Sequence, residues 1–206
     1  MRLNPFQALT EAEWAEIAVW PVAAATAFAT SAHLQFLGPM GSGKTTLLRA
    51  CHARLRFTPH CRVAWEYLAK GQYRRQTPLN NLDVFLLDEA QRLWWWERQK
   101  WVAAACHQPI RYLFTSHQDL TPLFQRYHQP LTTIHLDTPT QEHLYAMLTR
   151  RITYFNSHTT LTPEALDWLW QQFAPCWRDM EYFLYEVWQY WGEKTVIGVE
   201  ELEQMR

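Results

Sequence analysis

The sequence predicts an α/β fold: a five-stranded parallel sheet sandwiched by helices, followed by a small C-terminal helical lid. Three observations predict it. An apolar run, Leu34-Gln35-Phe36-Leu37, enters a glycine-rich loop that opens into a helical stretch over residues 45–55, with Leu47, Leu48 and Leu55 on one side. A second apolar run, Val84-Phe85-Leu86-Leu87, ends in two acids, Asp88 and Glu89. Strand-like segments recur as far as Leu136, and from Pro139 onward they stop.

Residues 1–32 read as a helical lead-in packed on the core. Thr10 with Glu13 three residues on makes a capping box, and Pro21 sits where a second helix begins. The core proper spans residues 33–138. Its loop, Gly38-Pro39-Met40-Gly41-Ser42-Gly43-Lys44-Thr45, fits the phosphate-binding pattern G-x-x-x-x-G-K-[ST] at every fixed position. A triphosphate can be surrounded by backbone N–H groups only where side chains leave room, which calls for glycine. Lys44 would reach the β- and γ-phosphates and the Thr45 hydroxyl would hold Mg²⁺, while Thr46 follows inside a helix whose positive end faces the charge.

Residues 62–68 (RVAWEYL) read as a second strand, and residues 69–81, with Gly71, Pro78 and Asn80-Asn81, as loop and partial helix. The third strand delivers Asp88 and Glu89 at its carboxyl end beside the phosphate loop. There Asp88 can enter the Mg²⁺ shell, and Glu89 can orient or deprotonate a water for attack on the γ-phosphate. Residues 111–116 (RYLFTS) form a strand with a polar end, so Thr115, Ser116 or His117 could report on the γ-phosphate. A short helix over residues 119–127 carries Arg126 near its end, and residues 131–136 make the fifth strand. Residues 139–206 read as a three-helix lid, with helices over 140–153, 163–173 and 178–191 and an aromatic-rich interior.

The bulk properties narrow the function. The chain's 206 residues suffice for one α/β core and an appendage. A formal net charge of −1 gives no global steering toward nucleic acid or an anionic membrane, although Arg74, Arg75, Arg150 and Arg151 leave room for a local nucleic-acid contact. The four cysteines are scattered, which suits a reducing compartment, and Cys51-His52 with His60-Cys61 matches no usual zinc spacing. Early Asn4-Pro5 and Glu11, Glu13 and Glu16 argue against a signal peptide. The Ala-rich stretch over residues 17–37 is broken by Pro21 and polar residues, so no membrane span and a cytoplasmic location are expected.

The order of parts resembles the AAA+ ATPases: phosphate loop, DE-ending strand, polar-ended strand, arginine before the last strand, helical lid with an internal arginine. The NPF lead-in and the text LLDEAQRL look like the ExeA-type and transposition-helper (TniB/TnsC-like) branch. The resemblance implies Gly38, Gly43, Lys44 and Thr45 for phosphates and metal, Asp88 for Mg²⁺ and Glu89 as catalytic glutamate. It also implies Thr115 or Ser116 as first sensor, Arg126 as a finger reaching a neighbouring subunit, and Arg178 as second sensor. Before Arg178 the chain reads Ala174-Pro175-Cys176-Trp177, where family members often carry a glycine.

The expected activity is ATP hydrolysis by a regulatory ATPase with Mg²⁺ as cofactor, active in a nucleotide-dependent homo-oligomer and coupled to partner binding or assembly. A GTPase is disfavoured because Gln91 stands where its second motif needs glycine. A small-molecule kinase is disfavoured by Glu89 beside Asp88, which favours water as nucleophile. The stronger rival is a nucleotide-gated interaction adaptor with little hydrolysis. It is motivated by Trp94-Trp95-Trp96, which cannot all face one core if successive helical positions differ by about 100°, and which therefore mark a candidate partner surface.

Overall fold

The computed structural model describes residues 4–174 and 176–206. Two compact units are present: Trp14–Asp137, and the residues up to Glu13 together with Thr138–Arg206. The 1–32 lead-in is therefore not one body; the division falls within α1 (Glu11–Ile17), and α2 (Val22–Thr30) belongs to the sheet unit.

In the sheet unit, β1 (His33–Leu37), β2 (Val63–Tyr67), β3 (Val84–Asp88), β4 (Arg111–Ser116) and β5 (Leu131–His135) form one parallel sheet in the order β2-β3-β4-β1-β5. The buried strands alternate faces, because successive side chains point to opposite sides. Phe85, Leu87, Tyr112 and Phe114 pack with Trp101 and Val102 of α4 (Trp95–Ala104) and Phe124 of α5 (Thr121–Arg126). Leu34, Phe36, Val84, Leu86 and Leu113 face the other way, onto Ala24 and Ala27 of α2 and Leu47, Leu48 and Cys51 of α3 (Lys44–Arg56). Each fully buried Leu or Phe contributes about 1.5–3 kcal/mol, so both faces hold the strand ends in register.

Two buried polar residues in β1 secure its neighbours. The His33 ring accepts the Tyr112 N–H at Nδ1 (3.0 Å), with Nε2 3.2 Å from Gln129 Oε1; burial lowers its pKa. Gln35 accepts the Leu120 N–H (3.0 Å) and donates to Asp119 Oδ1 (3.2 Å), fixing the turn after β4.

The other unit contains α6 (Gln141–Tyr154), α7 (Pro163–Phe173), α8 (Trp177–Trp191) and α9 (Val199–Gln204). Strands do not stop at Pro139: β6 (Thr160–Leu161) and β7 (Val196–Ile197) pair in parallel, each too short for any periodicity to show. Thr140 and Thr162 cap α6 and α7 by accepting the His143 and Ala165 N–H groups. Trp168, Trp170, Trp177, Phe183, Trp188 and Trp191 pack this core, whereas Tyr182 and Tyr190 are exposed. The NPF lead-in belongs here. Phe6 lies edge-on to Trp188, and the Asn4 amide donates to Tyr185 O. Arg151 is buried and donates to Pro5 O (2.5 Å), Gln7 O (2.8 Å) and Glu181 (2.6 Å), so it is a structural tie rather than part of a basic patch. No helix among the described residues is long and apolar enough to cross a membrane.

Candidate functional site

The carboxyl ends of β1, β4 and β3 lie side by side, and the predicted loop and acids sit on them. Gly38 leaves β1 with its N–H toward Ser116 O (3.4 Å). A Cβ at Gly38 would fall 2.2 Å from Leu136 O and 2.8 Å from Ser42 Oγ, so this glycine is required by close packing. Gly41 and Gly43 are required by conformation, with φ of 83° and 85°. Pro39, Met40 and Gly41 are exposed at the loop tip, and Ser42 Oγ is buried without a partner among the described residues. Lys44 opens α3. Its ammonium folds back on the loop, donating to Gly38 O (2.9 Å) and Pro39 O (2.6 Å); burial lowers its pKa against the opposing pull of Glu89 and Asp88. Thr45 and Thr46 follow, both half-buried.

Asp88 is fully buried. Its Oδ1 accepts two hydroxyls, from Thr45 (3.2 Å) and Thr115 (2.5 Å), while Oδ2 has no partner among the described residues. Burial raises the Asp88 pKa. An orphaned carboxylate oxygen beside a threonine hydroxyl is a hard, oxygen-only donor set, and it fits a Mg²⁺ that takes its other ligands from water and phosphate. The sign of the shift follows: a raised folded pKa means that the ionised carboxylate costs stability, a cost absent below the ordinary carboxylate range and growing as pH rises through the raised value. Asp88→Asn is therefore expected to stabilise the nucleotide-free protein at neutral pH by about 1 kcal/mol and to remove the Mg²⁺-dependent part of any ATP-induced thermal shift. Thermal melts with and without Mg·ATP check both.

Glu89 occupies the left-handed region (φ 65°), uncommon for a side chain of this kind, and the chain turns there into a short 3₁₀ helix, Ala90–Arg92. Its N–H donates to Thr115 Oγ1 (2.9 Å). Its carboxylate is engaged from three sides: Arg92 (2.9 Å), the Gln91 amide (2.8 Å) and His117 Nε2 (3.4 Å). Gln91 also accepts the His117 N–H (3.2 Å), tying the end of β4 to the acid. Arg92 in turn donates to Leu68 O (2.6 Å) and to Tyr67 OH (3.1 Å) at the end of β2.

The three first-sensor candidates thus separate. Thr115 spans both acids, the Ser116 hydroxyl donates to Gln118 O (2.6 Å) within its own turn, and His117 faces Glu89. Arg126 is exposed in the last turn of α5. Arg178 is exposed in the first turn of α8 in the other unit; Pro175 of the stretch preceding it lies outside the described residues. Trp94 precedes α4 as its N-cap, so the helix begins at Trp95 and only two of the three tryptophans are helical. Trp94 is 44% and Trp95 64% exposed, with Trp96 ring-to-ring against both. The contacts of Gln91 and Arg92 with the Glu89 carboxylate are not readable from the sequence, although both stand in the run LLDEAQRL.

No family model and no curated protein sequence matches the chain. Solved structures do. Domain III of the Thermotoga maritima replication initiation protein DnaA aligns with a TM-score of 0.65 at 16% identity, over 93% of this chain and 94% of that one. AMPPCP-bound DnaA from Aquifex aeolicus aligns at 0.63 and 17% identity, over 88% of this chain and 62% of that chain. A RuvB variant from Thermotoga maritima aligns at 0.64 and 16% identity, over 89% and 65%. The chain thus spans just under two thirds of the length of the last two. With the sheet order and the strand–loop–helix setting of the glycine loop, these likenesses identify the fold as that of the AAA+ P-loop NTPases.

Proposed function

We propose that the chain binds ATP with Mg²⁺ at the glycine loop, hydrolyses it, and couples the nucleotide state to a partner or to its own assembly. The observation that carries this reading is the Asp88 carboxylate: buried, satisfied on one oxygen by the Thr45 and Thr115 hydroxyls, unpartnered on the other, and adjacent to Lys44 and Glu89. The Lys44 ammonium would exchange its two loop carbonyls for phosphate oxygens, and the loop N–H groups would face the same charge. Thr45 and Asp88 would hold a Mg²⁺, which would neutralise charge on the phosphates. Glu89, freed from Arg92 and Gln91, would take a proton from a water whose oxygen attacks the γ-phosphorus, releasing ADP. Thr115 ties the Asp88 carboxylate to the Glu89 backbone, and Ser116 or His117 would respond to the γ-phosphate from the end of β4. In keeping with the sequence resemblance, Arg126 would act on a neighbouring subunit's nucleotide and Arg178 on its own, within the ExeA-type or transposition-helper branch and in the cytoplasm. Residues 139–206 would then serve as the lid over the 33–138 core.

The coupling has a physical path. Arg92 joins Glu89 to the end of β2, where residues 69–81 begin, and the exposed Trp94 and Trp95 follow Arg92 after one residue, Leu93. A partner that shifts that surface can release the carboxylate. One observation favours the nucleotide-gated adaptor as a second reading: all three polar neighbours of Glu89 hold it away from a water-activating role.

Steady-state phosphate release from Mg·ATP across protein concentrations tests the reading. Turnover per subunit is expected to rise with concentration, and Arg126→Ala is expected to abolish that rise while leaving nucleotide affinity unchanged. ATP binding with no phosphate release at any concentration favours the adaptor, and transfer to an added nucleoside would indicate a kinase.

A further inference from the structure

The segment from Tyr67 to Leu82 contains Lys70, Arg74 and Arg75 and no acidic residue. It is irregular in backbone yet firmly pinned. Glu66, buried on β2, accepts the Gln76 N–H (2.8 Å), the Gln72 amide (3.0 Å) and the Thr77 N–H (2.9 Å). The Trp94 N–H donates to Tyr73 O (3.0 Å), and the Tyr73 and Trp94 rings lie 5.7 Å apart. Together Gln72, Tyr73, Arg74, Gln76 and Trp94 line a cleft of about 310 Å³, at the lower end of the range for small-ligand pockets.

Tyr73 is 48% exposed, and neither Lys70 nor Arg74 has a carboxylate partner among the described residues. Such a cleft presents two complementary chemistries: the aromatic faces of Tyr73 and Trp94 for planar groups, and the Arg74 guanidinium for negative charge, with Lys70 three residues before Tyr73 on the same segment. A proline-rich peptide would use the rings and strand the cations. An acidic peptide would use the cations and leave the rings wet. Unpaired bases on a phosphate backbone satisfy both, and a duplex hides its base faces.

We propose that the Tyr73–Trp94 cleft binds single-stranded nucleic acid, its bases stacking on Tyr73 and Trp94 and its phosphates meeting Lys70 and Arg74. This deepens the partner half of the reading above by naming the partner's chemical class. It does not require hydrolysis. Binding is measured without ATP, so a failed titration leaves the ATPase reading standing and a silent ATPase leaves the cleft standing.

Fluorescence anisotropy of the full chain with labelled oligo(dT), oligo(U) and a duplex of equal length is the test. Both single strands are expected to bind more tightly than the duplex. Tyr73→Ser and Trp94→Ala are each expected to weaken binding about 5- to 100-fold, with Trp94→Phe restoring most of it. Arg74→Ala is expected to weaken it and to lower the slope against log salt by about one. Tyr73→Ser alters an exposed loop side chain, so it remains decisive if Trp94→Ala fails to fold. Absence of oligonucleotide binding overturns the proposal. So does equal affinity for the duplex, binding that neither Tyr73→Ser nor Trp94→Ala weakens, or capture of an acidic or proline-rich peptide in place of the oligonucleotides.

Discussion

Glu89→Gln is expected to lower steady-state phosphate release from Mg·ATP by about a hundredfold or more while leaving nucleotide affinity close to that of the unaltered chain. The amide keeps the side chain's shape and can still meet the Gln91 amide and Arg92 through its oxygen, so the local structure survives. It cannot accept a proton from water. Lys44→Ala gives the contrasting loss: the ammonium that now spans Gly38 O and Pro39 O disappears, and with it the charge that a triphosphate would meet, so binding itself is expected to fail. A fluorescent ATP analogue separates the two outcomes. Equal turnover in Glu89→Gln and the unaltered chain would remove Glu89 from the chemistry, and undiminished binding in Lys44→Ala would remove the loop from nucleotide recognition.

Gly38→Ala is expected to destabilise the fold by about 3 kcal/mol, and to cost nucleotide binding as well. The added methyl would stand 2.2 Å from Leu136 O. That oxygen is backbone, and Leu136 is itself held to β1 by its N–H on Leu37 O (2.7 Å), so the clash cannot be relieved by a rotamer change. The loop or β5 must move instead. Gly43→Ala is the control, since a Cβ there meets nothing within 4 Å and only the φ of 85° resists it. Its cost should be nearer 1 kcal/mol. Urea denaturation of the two variants distinguishes them; equal midpoints would mean that packing against Leu136 is not what demands glycine at position 38.

The loop, the acids and all five main strands were legible because their signals are local. Apolar runs of four or five residues, a glycine-lysine pattern and a terminal acid pair each lie within a short window of the chain. The capping box at Thr10 was legible for the same reason: its hydroxyl accepts the Glu13 N–H, and the Glu13 carboxylate accepts the Thr10 N–H. Boundaries moved by a residue or two. The paired β6 and β7 escaped because two-residue strands carry no alternation, and their partners are separated by α7 and α8.

By itself, the sequence determined the α/β class, the glycine loop and the acids that end β3, because side-chain size, backbone freedom and charge act there over a few residues. Only the tertiary structure decided which polar groups are tied into the fold and which gather at the glycine loop. Glu66, read as part of an ordinary strand, is the anchor of the cationic loop, and Arg151, read as leaving room for a nucleic-acid contact, binds the carbonyls of Pro5 and Gln7, 146 and 144 positions away in the chain. Thr115 separates from Ser116 and His117 by one hydroxyl shared between Asp88 and the Glu89 N–H. Likewise Gln91 and Arg92 acquire meaning only through where the turn at Glu89 points them. The physical reason is common to all of these: hydrogen-bond partners far apart in the chain are brought together by sheet closure and helix packing, and no local pattern of residue types encodes that distance.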